Sequence, residues 1–375
     1  MAKAIECRCQ PYPESMARSS LTLAALATAA VAGLDVVSTS PLSTGQSGRY
    51  DSALLQARGG DRYVVRVPTA DEAEREQSGD LVALRALTGG SRSRLPFAAP
   101  EFVGQAPIAQ VPSPQTSSGQ TRGMVYNYIE GRPATLASLD DSVELAESFG
   151  RAIASIHSLP TSVVTDAGLP VFSATESARV ARTAKDRAAA TGKVPTELLT
   201  RWSLALEDSA LWQFQPTVIH GSLGPESFLV AGDRVTGILD WSNFKVGDPA
   251  SDLYWLSSVS REESATRVFS GYNVARSGPV DRQLRKRARL YAELEIAKWL
   301  VHGYDLRDSL IVDDAVGMLA GLASTAQSDL LNPLSTDTGR IMAVDEVEEM
   351  LARTPRSETV TARDHANAAR ISEDD

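Results

Sequence analysis

The feature that most constrains this chain is a change of period inside its helical half. Residues 217–240 read TVIHG and then SFLVAG-DR-VTGILDW, which alternates as paired strands do. The turn Ala231-Gly232-Asp233-Arg234 closes the second stretch into a short hairpin. Helical pattern flanks it on both sides. Val143, Phe149, Ile153 and Ile156 make one stripe behind a capping-box-like Asp141-Ser142-Val143-Glu144. Further helices are predicted at about 174–191, 195–208, 249–258, 262–272, 280–304 and 309–330. The spacing therefore predicts a helical lobe with one embedded hairpin.

The first third has another character. YDSALLQA alternates, Arg58-Gly59-Gly60-Asp61 turns, and RYVVRVP returns. Residues 70–87 read as a helix with Leu81, Leu84 and Leu87 on one face. Phe102-Val103 and Gly123 to Ile129 read as strands. The stretch Gly104 to Arg122 carries Pro107, Pro112 and Pro114 and reads as a loop or hairpin tip. Upstream, Met16 looks like a fresh start, and the native chain is expected to begin there, with Cys7 and Cys9 in an extension. The Ala-rich run after it fits a signal peptide or a short amphipathic helix packing through Leu21, Leu23, Leu26 and Val31. The missing small-residue cleavage site before Val36 favours the helix. The expected organisation is a disordered extension (1–15), a β-rich N-lobe (16–131), a helical C-lobe (132–335) and a mostly disordered acidic tail (336–375) with one short helix at 342–353.

Composition excludes several classes. With 47 acidic and 37 basic residues the net charge is −10, against the basic face that nucleic-acid binding requires. Nine acids and four Arg in 341–375 hold half of that excess. Two cysteines and four histidines rule out a disulfide framework and a Cys/His zinc site. Leu21 to Leu34 is too short to span a bilayer, so no membrane partner is expected and a cytoplasmic location is the default. Neither a P-loop nor a dinucleotide fingerprint occurs.

His220-Gly221, Leu229-Val230, Ile238-Leu239-Asp240-Trp241 and Gly247-Asp248-Pro249 with Asp252-Leu253 follow one another at set spacings. This segment resembles the aminoglycoside and macrolide phosphotransferase family, whose pattern is H-G-D-x-x-x-x-N, a hairpin, I-D-[WF] and G-D-P-x-x-D. The resemblance extends over about residues 48–300. Tyr63 to Pro68 is similar to the family's third strand, Met124 to Gly131 to its hinge, and Phe149 to His157 to its L-G-x-x-L-A-x-L-H helix. It implies an α+β, two-lobed protein-kinase-like fold that transfers phosphate from ATP or GTP, with Mg²⁺, to a small-molecule acceptor. Such transfer rests on positioning and charge neutralisation.

Carried over by residue, the resemblance makes Asp240 the magnesium aspartate and Arg66 the phosphate-gripping cation. Asp80 stands in for the helix glutamate, and Tyr126, Asn127 and Tyr128 form the nucleotide-binding hinge. Two positions depart. Ser222 stands where the family has its base aspartate, and Ser227 where it has a metal-binding asparagine. A serine hydroxyl is no base near neutral pH, and general-base help is typically worth about 10²–10⁴-fold. The expectation is an impaired phosphotransferase or, alternatively, a nucleotide- or ligand-binding pseudokinase with a regulatory or scaffolding role. A fold relic that binds no nucleotide is a third reading. Arg66 and Asp80 are expected to form an ion pair facing Asp240. More ordinary roles are expected elsewhere: His220 structural, Asp248 a helix cap, Asp252 a brace for the loop and Glu226 a solvated glutamate. Arg282, Arg285, Lys286, Arg287 and Arg289 are expected on a solvated face, and Trp241, Trp255 and Trp299 in the core. The acceptor and the oligomeric state are not legible.

Overall fold

Alternation decides which way the N-terminal sheet faces. In the computed structural model, which describes residues 18–42, 48–109, 120–276, 278 and 281–328, five antiparallel strands form this sheet. They are β1 (Val36–Pro41), β2 (Tyr50–Ala57), β3 (Arg62–Pro68), β4 (Phe102–Ala109) and β5 (Gln120–Asn127), in the order β1-β2-β3-β5-β4. On one face Ala53, Leu55, Val65, Val67 and Val125 bury against Leu23 and Ala27 of α1 (Ser20–Ala30). The period of two then sends Val64 and Arg66 of β3 to the opposite face. Of the predicted stripe only Leu21, 73% exposed, stays out; Leu23 is buried, and Leu26 and Val31 pack half-buried against the same cluster.

The second face carries α2 (Asp71–Ala86), whose Leu81 and Leu84 join Met124 and Tyr126 in the main core. The strands reach further than the sequence suggested. β4 runs to Ala109 and β5 starts at Gln120, so both enter the stretch read as loop or hairpin tip, whose middle, with Pro112 and Pro114, lies outside the described residues. Pro107 is accommodated because β4 is an edge strand, where a missing N–H is tolerated.

The short helix α3 (Gly89–Arg92) leads into β4, and β6 (Arg132–Pro133) leaves the sheet. β6 pairs with β8 (Phe228–Ala231), which pairs with β9 (Arg234–Ile238); β7 (Thr217–Ile219) pairs with β10 (Lys245–Gly247). Around these strands lie α4 (Val143–His157), α5 (Ser162–Thr165), α6 (Ala174–Ala190), α7 (Thr196–Glu207), α8 (Glu262–Ala275), α9 (Leu284–Leu306) and α10 (Ser309–Ser328). Ser142, not Asp141, caps α4, accepting from the Leu145 N–H. The helix expected at 249–258 is two 3₁₀ segments, Pro249–Asp252 and Tyr254–Ser258. Trp241 and Trp255 are buried, but Trp299 is 38% exposed and stacks on His302. Arg287, expected on a solvated face, is fully buried between Asp248 and Asp281. Cys7, Cys9 and the helix expected at 342–353 lie outside the described residues. Among the described residues, no helix is long and apolar enough to cross a membrane.

Candidate active site

The loop between β7 and β8 is held from below by one carboxylate. Asp252 Oδ2 accepts the His220 N–H and Oδ1 the Gly221 N–H, both at 2.7 Å, and His157 Nε2 lies 3.1 Å from Oδ2. Burial alone would raise this carboxyl, but the His157 hydrogen bond, the nearby histidines and the Gly221 N–H hold it below the usual range. Gly221 has φ +84°, and a Cβ there would stand 2.4 Å from the Asn243 carbonyl oxygen, so only glycine lets the loop turn here.

His220 is fully buried, which lowers its pKa despite Asp252 and keeps the ring neutral. Its Nε2 is 3.0 Å from the Leu239 carbonyl oxygen, which can only accept, so Nε2 carries the proton. Nδ1 is left as an acceptor, 3.4 Å from Ser222 Oγ, and Ser222 Oγ is also 3.3 Å from the Asp240 carbonyl oxygen. Ser227 is buried, and its Oγ accepts from the Gly224 N–H at 3.3 Å. Both hydroxyls are thus turned to partners within the loop region. Glu226 folds back over the loop: a Cβ on Gly224 would meet its carboxylate oxygen at 2.6 Å.

Asp240 follows β9 with φ +65°, a left-handed conformation that aspartate tolerates better than most residues. This turn presents its carboxylate to the cleft, where Oδ1 lies 3.3 Å from Arg66 Nη1. The expected ion pair between Arg66 and Asp80 is replaced by this one. Asp80 is buried and spends Oδ1 on the Trp241 N–H at 2.8 Å, which docks α2 on the turn after β9. The approach is close, because a Cβ on the adjacent Gly79 would lie 3.1 Å from the Ser242 carbonyl oxygen. Burial pushes the Asp80 carboxyl up to about 6, with Arg66 pulling down and Asp240 pushing further up. Arg66 stacks over Tyr50 at 4.1 Å, and its buried Nε has no hydrogen-bond partner.

Three cavities meet around these residues. Leu42, Val64, Tyr126, Ile129, Leu229 and Leu239 line an apolar slot between the sheet and the embedded hairpin, with Arg66, Asp80 and Asp240 at its inner end. Asn127 and Tyr128 border it. The Asn127 N–H donates to Glu101, its Oδ1 accepts from the Glu101 N–H, and the Tyr128 N–H donates to Arg62. Next comes a polar cavity lined by Arg49, Arg66, Ser222, Glu226, Ser227, Asp240 and Asn243. The third lies beyond the loop, between Ser222, Lys245, Tyr254 and Lys298. Arg49, Asn243 and Lys245 were not singled out from sequence. Lys245 had one signal, its position in an alternating strand that leads out of the hairpin.

Among the described residues no group of three or more His, Cys, Asp or Glu side chains could enclose a metal. Asp240 offers one carboxylate to the polar cavity, whereas Ser227 Oγ already accepts a hydrogen bond. This set fits a Mg²⁺ held by Asp240 and otherwise by phosphate oxygens and water, as that ion commonly is.

The sequence profile of the family described as "Phosphotransferase enzyme family" matches residues 38–295. The chain belongs to this family. The chain is 36% identical over 77 residues to viomycin phosphotransferase of Streptomyces vinaceus, a stretch that is 20% of this chain and 27% of that enzyme. It spans about a quarter of the length of the curated relatives it matches. Among solved structures, the macrolide 2'-phosphotransferase of Brachybacterium faecium aligns with TM-score 0.64 at 20% identity, covering 80% of this chain and 98% of that one. The GDP complex of an aminoglycoside 2'-phosphotransferase-IIIa mutant aligns with TM-score 0.63 at 17% identity, covering 83% and 99%. At these identities the likeness carries the fold. The α+β architecture, with a sheet-built N-lobe and a helical C-lobe, is the kinase-like fold of phosphotransferases.

Proposed function

We propose that this phosphotransferase-family protein binds ATP or GTP in the apolar slot and a small-molecule acceptor beyond the 220–227 loop, and that it transfers phosphate poorly. Tyr126, Asn127 and Tyr128 border the nucleoside, Arg66 grips phosphate with Asp80 behind it, and Asp240 holds the Mg²⁺ that would neutralise the phosphate oxygens. The observation that carries the impaired reading is the pair Ser222 and Ser227. One hydroxyl lies against His220 and the Asp240 carbonyl, the other is bound to the Gly224 N–H, and neither leaves a carboxylate or amide at those positions. The acceptor hydroxyl then lacks a base at position 222, and the metal lacks a ligand at position 227. A mainly dissociative transition state needs little early activation of the nucleophile, so the missing ligand weighs more than the missing base. A reaction drawing on ATP or GTP belongs in the cytoplasm, where these nucleotides are made.

The alternative, a nucleotide- or ligand-binding pseudokinase that regulates or scaffolds, differs in having no turnover at all. The commitment of Ser227 Oγ within its own loop favours it. The experiment has two arms. Thermal shifts with ATP and GTP, with and without Mg²⁺, test binding; a ligand at a hundred times its Kd adds about 2.7 kcal/mol. Transfer of labelled phosphate to a panel of aminoglycosides and macrolides, with an active family member as control, tests turnover. A Mg²⁺-dependent shift without detectable transfer is expected. Robust transfer that disappears in Asp240→Ala would overturn the impaired reading, and no shift with either nucleotide would overturn the binding reading.

A further inference from the structure

Both carboxylates that line the third cavity, Asp248 and Glu295, already contact a cation, whereas one of its two lysines contacts no anion among the described residues. Asp248 is gripped by Arg287 at 2.8 Å and receives the Tyr291 hydroxyl at 2.9 Å. Glu295 is held by Lys298 at 2.5 Å. Asp252, below the floor, is saturated by two backbone N–H groups and His157. Lys245 has neither a hydrogen bond nor an ion pair among the described residues. Its ammonium lies 5.8 Å from the Phe172 ring, and its Cε is 3.1 Å from where a Cβ of Gly221 would be. The side chain therefore lies along the loop, beside Ser222, and faces the same cavity.

We propose that this cavity takes an acceptor bearing an anionic group, with Lys245 as its counter-charge. The inference deepens the acceptor-binding reading above and rests on it. A polycation entering here finds Glu295 already contacted by Lys298 and Asp248 already contacted by Arg287, which Asp281 shares, and it meets Lys245 as a like charge. An anion meets a half-buried ammonium that has lost part of its hydration and gained only the Phe172 ring in exchange, with no hydrogen bond or ion pair, so a charge-assisted hydrogen bond is open to it. Burial lowers the pKa of Lys245, Asp252 opposes and Lys298 adds to the lowering, and an arriving anion would oppose that lowering as Asp252 does. Ser251, Tyr254 and Asn243 supply neutral hydrogen-bonding groups to the same cavity, which suits a hydroxylated molecule.

The test uses three probes that share one polyol chain and differ at one end: gluconate, sorbitol and glucamine. Binding to the full chain is measured by calorimetry, with the nucleotide thermal shift recorded in parallel. Gluconate is expected to bind roughly tenfold tighter than glucamine, with sorbitol between them. Lys245→Met is expected to abolish the preference without changing the nucleotide shift. Lys298→Met, which strips Glu295 of its cation, is expected to move the preference toward glucamine. Glucamine binding as tightly as gluconate, a gluconate preference that survives Lys245→Met, or no saturable binding by any probe would each overturn the proposal. Loss of the nucleotide shift alone strikes the nucleotide reading and leaves the charge preference standing.

Discussion

Asp252 and Asp240 stand on the two sides of the same loop and are satisfied to different degrees. Asp252 is fully buried, accepts two backbone N–H groups and faces a histidine. The carboxylate of Asp240 is 30% exposed and has one long contact with Arg66, whose Nε is orphaned. A buried network that is complete fixes geometry, and one that is partly satisfied stays energetically open to a ligand. The floor of the site is thus structural and its cleft face is chemical, although both are built from carboxylates a dozen residues apart.

The largest effect should come from a second buried carboxylate, Asp248, which Arg287 pairs. Arg287→Met leaves Asp248 buried without its cation and is expected to cost about 3–5 kcal/mol, read as a lower urea midpoint. An unchanged midpoint would mean that the buried pair does not hold the C-lobe. Gly221→Ala comes next, at about 1–3 kcal/mol, because the left-handed turn and the Asn243 carbonyl both oppose a methyl group.

On the cleft face Asp240→Asn should change stability by less than about 1 kcal/mol yet remove the Mg²⁺ dependence of the nucleotide shift. Stability loss as large as that of Arg287→Met would erase the distinction drawn here. The smallest effect is a pH slope. Asp80 has a folded-state pKa of about 6, above its unfolded value, so the folded state binds the extra proton. Its contribution is full below the unfolded pKa and is lost as pH rises through about 6. Asp80→Asn should therefore lose less stability than the wild type between pH 4 and pH 7, measured by denaturation midpoints across that range.

What the sequence made legible was local. The hairpin follows from period, the family resemblance implied the roles of His220, Asp248 and Asp252, and the structure has Asp248 accepting the Ala250 N–H as a cap should. The partner of Arg66 was not legible, because two acids were within plausible reach and the choice depends on how α2 docks. The Trp241 N–H claims Asp80, and Arg66 turns to Asp240. Pro107 misled because proline marks loops unless the strand lies at an edge, and strand order is not written locally. The burial of Arg287 was hidden for a similar reason, since its partners Asp248 and Asp281 lie on separate segments.

The seating of α1 sets an order of events during synthesis. Leu23 and Ala27 have no cover of their own. Their partners arrive with β2 and β3, and the last of them, Val125, comes roughly a hundred residues after Leu23 has left the ribosome. Until then α1 carries an apolar face in water. Closing so long a loop is slow compared with forming the β2–β3 hairpin. The N-lobe therefore starts from its middle strands, and α1 docks late.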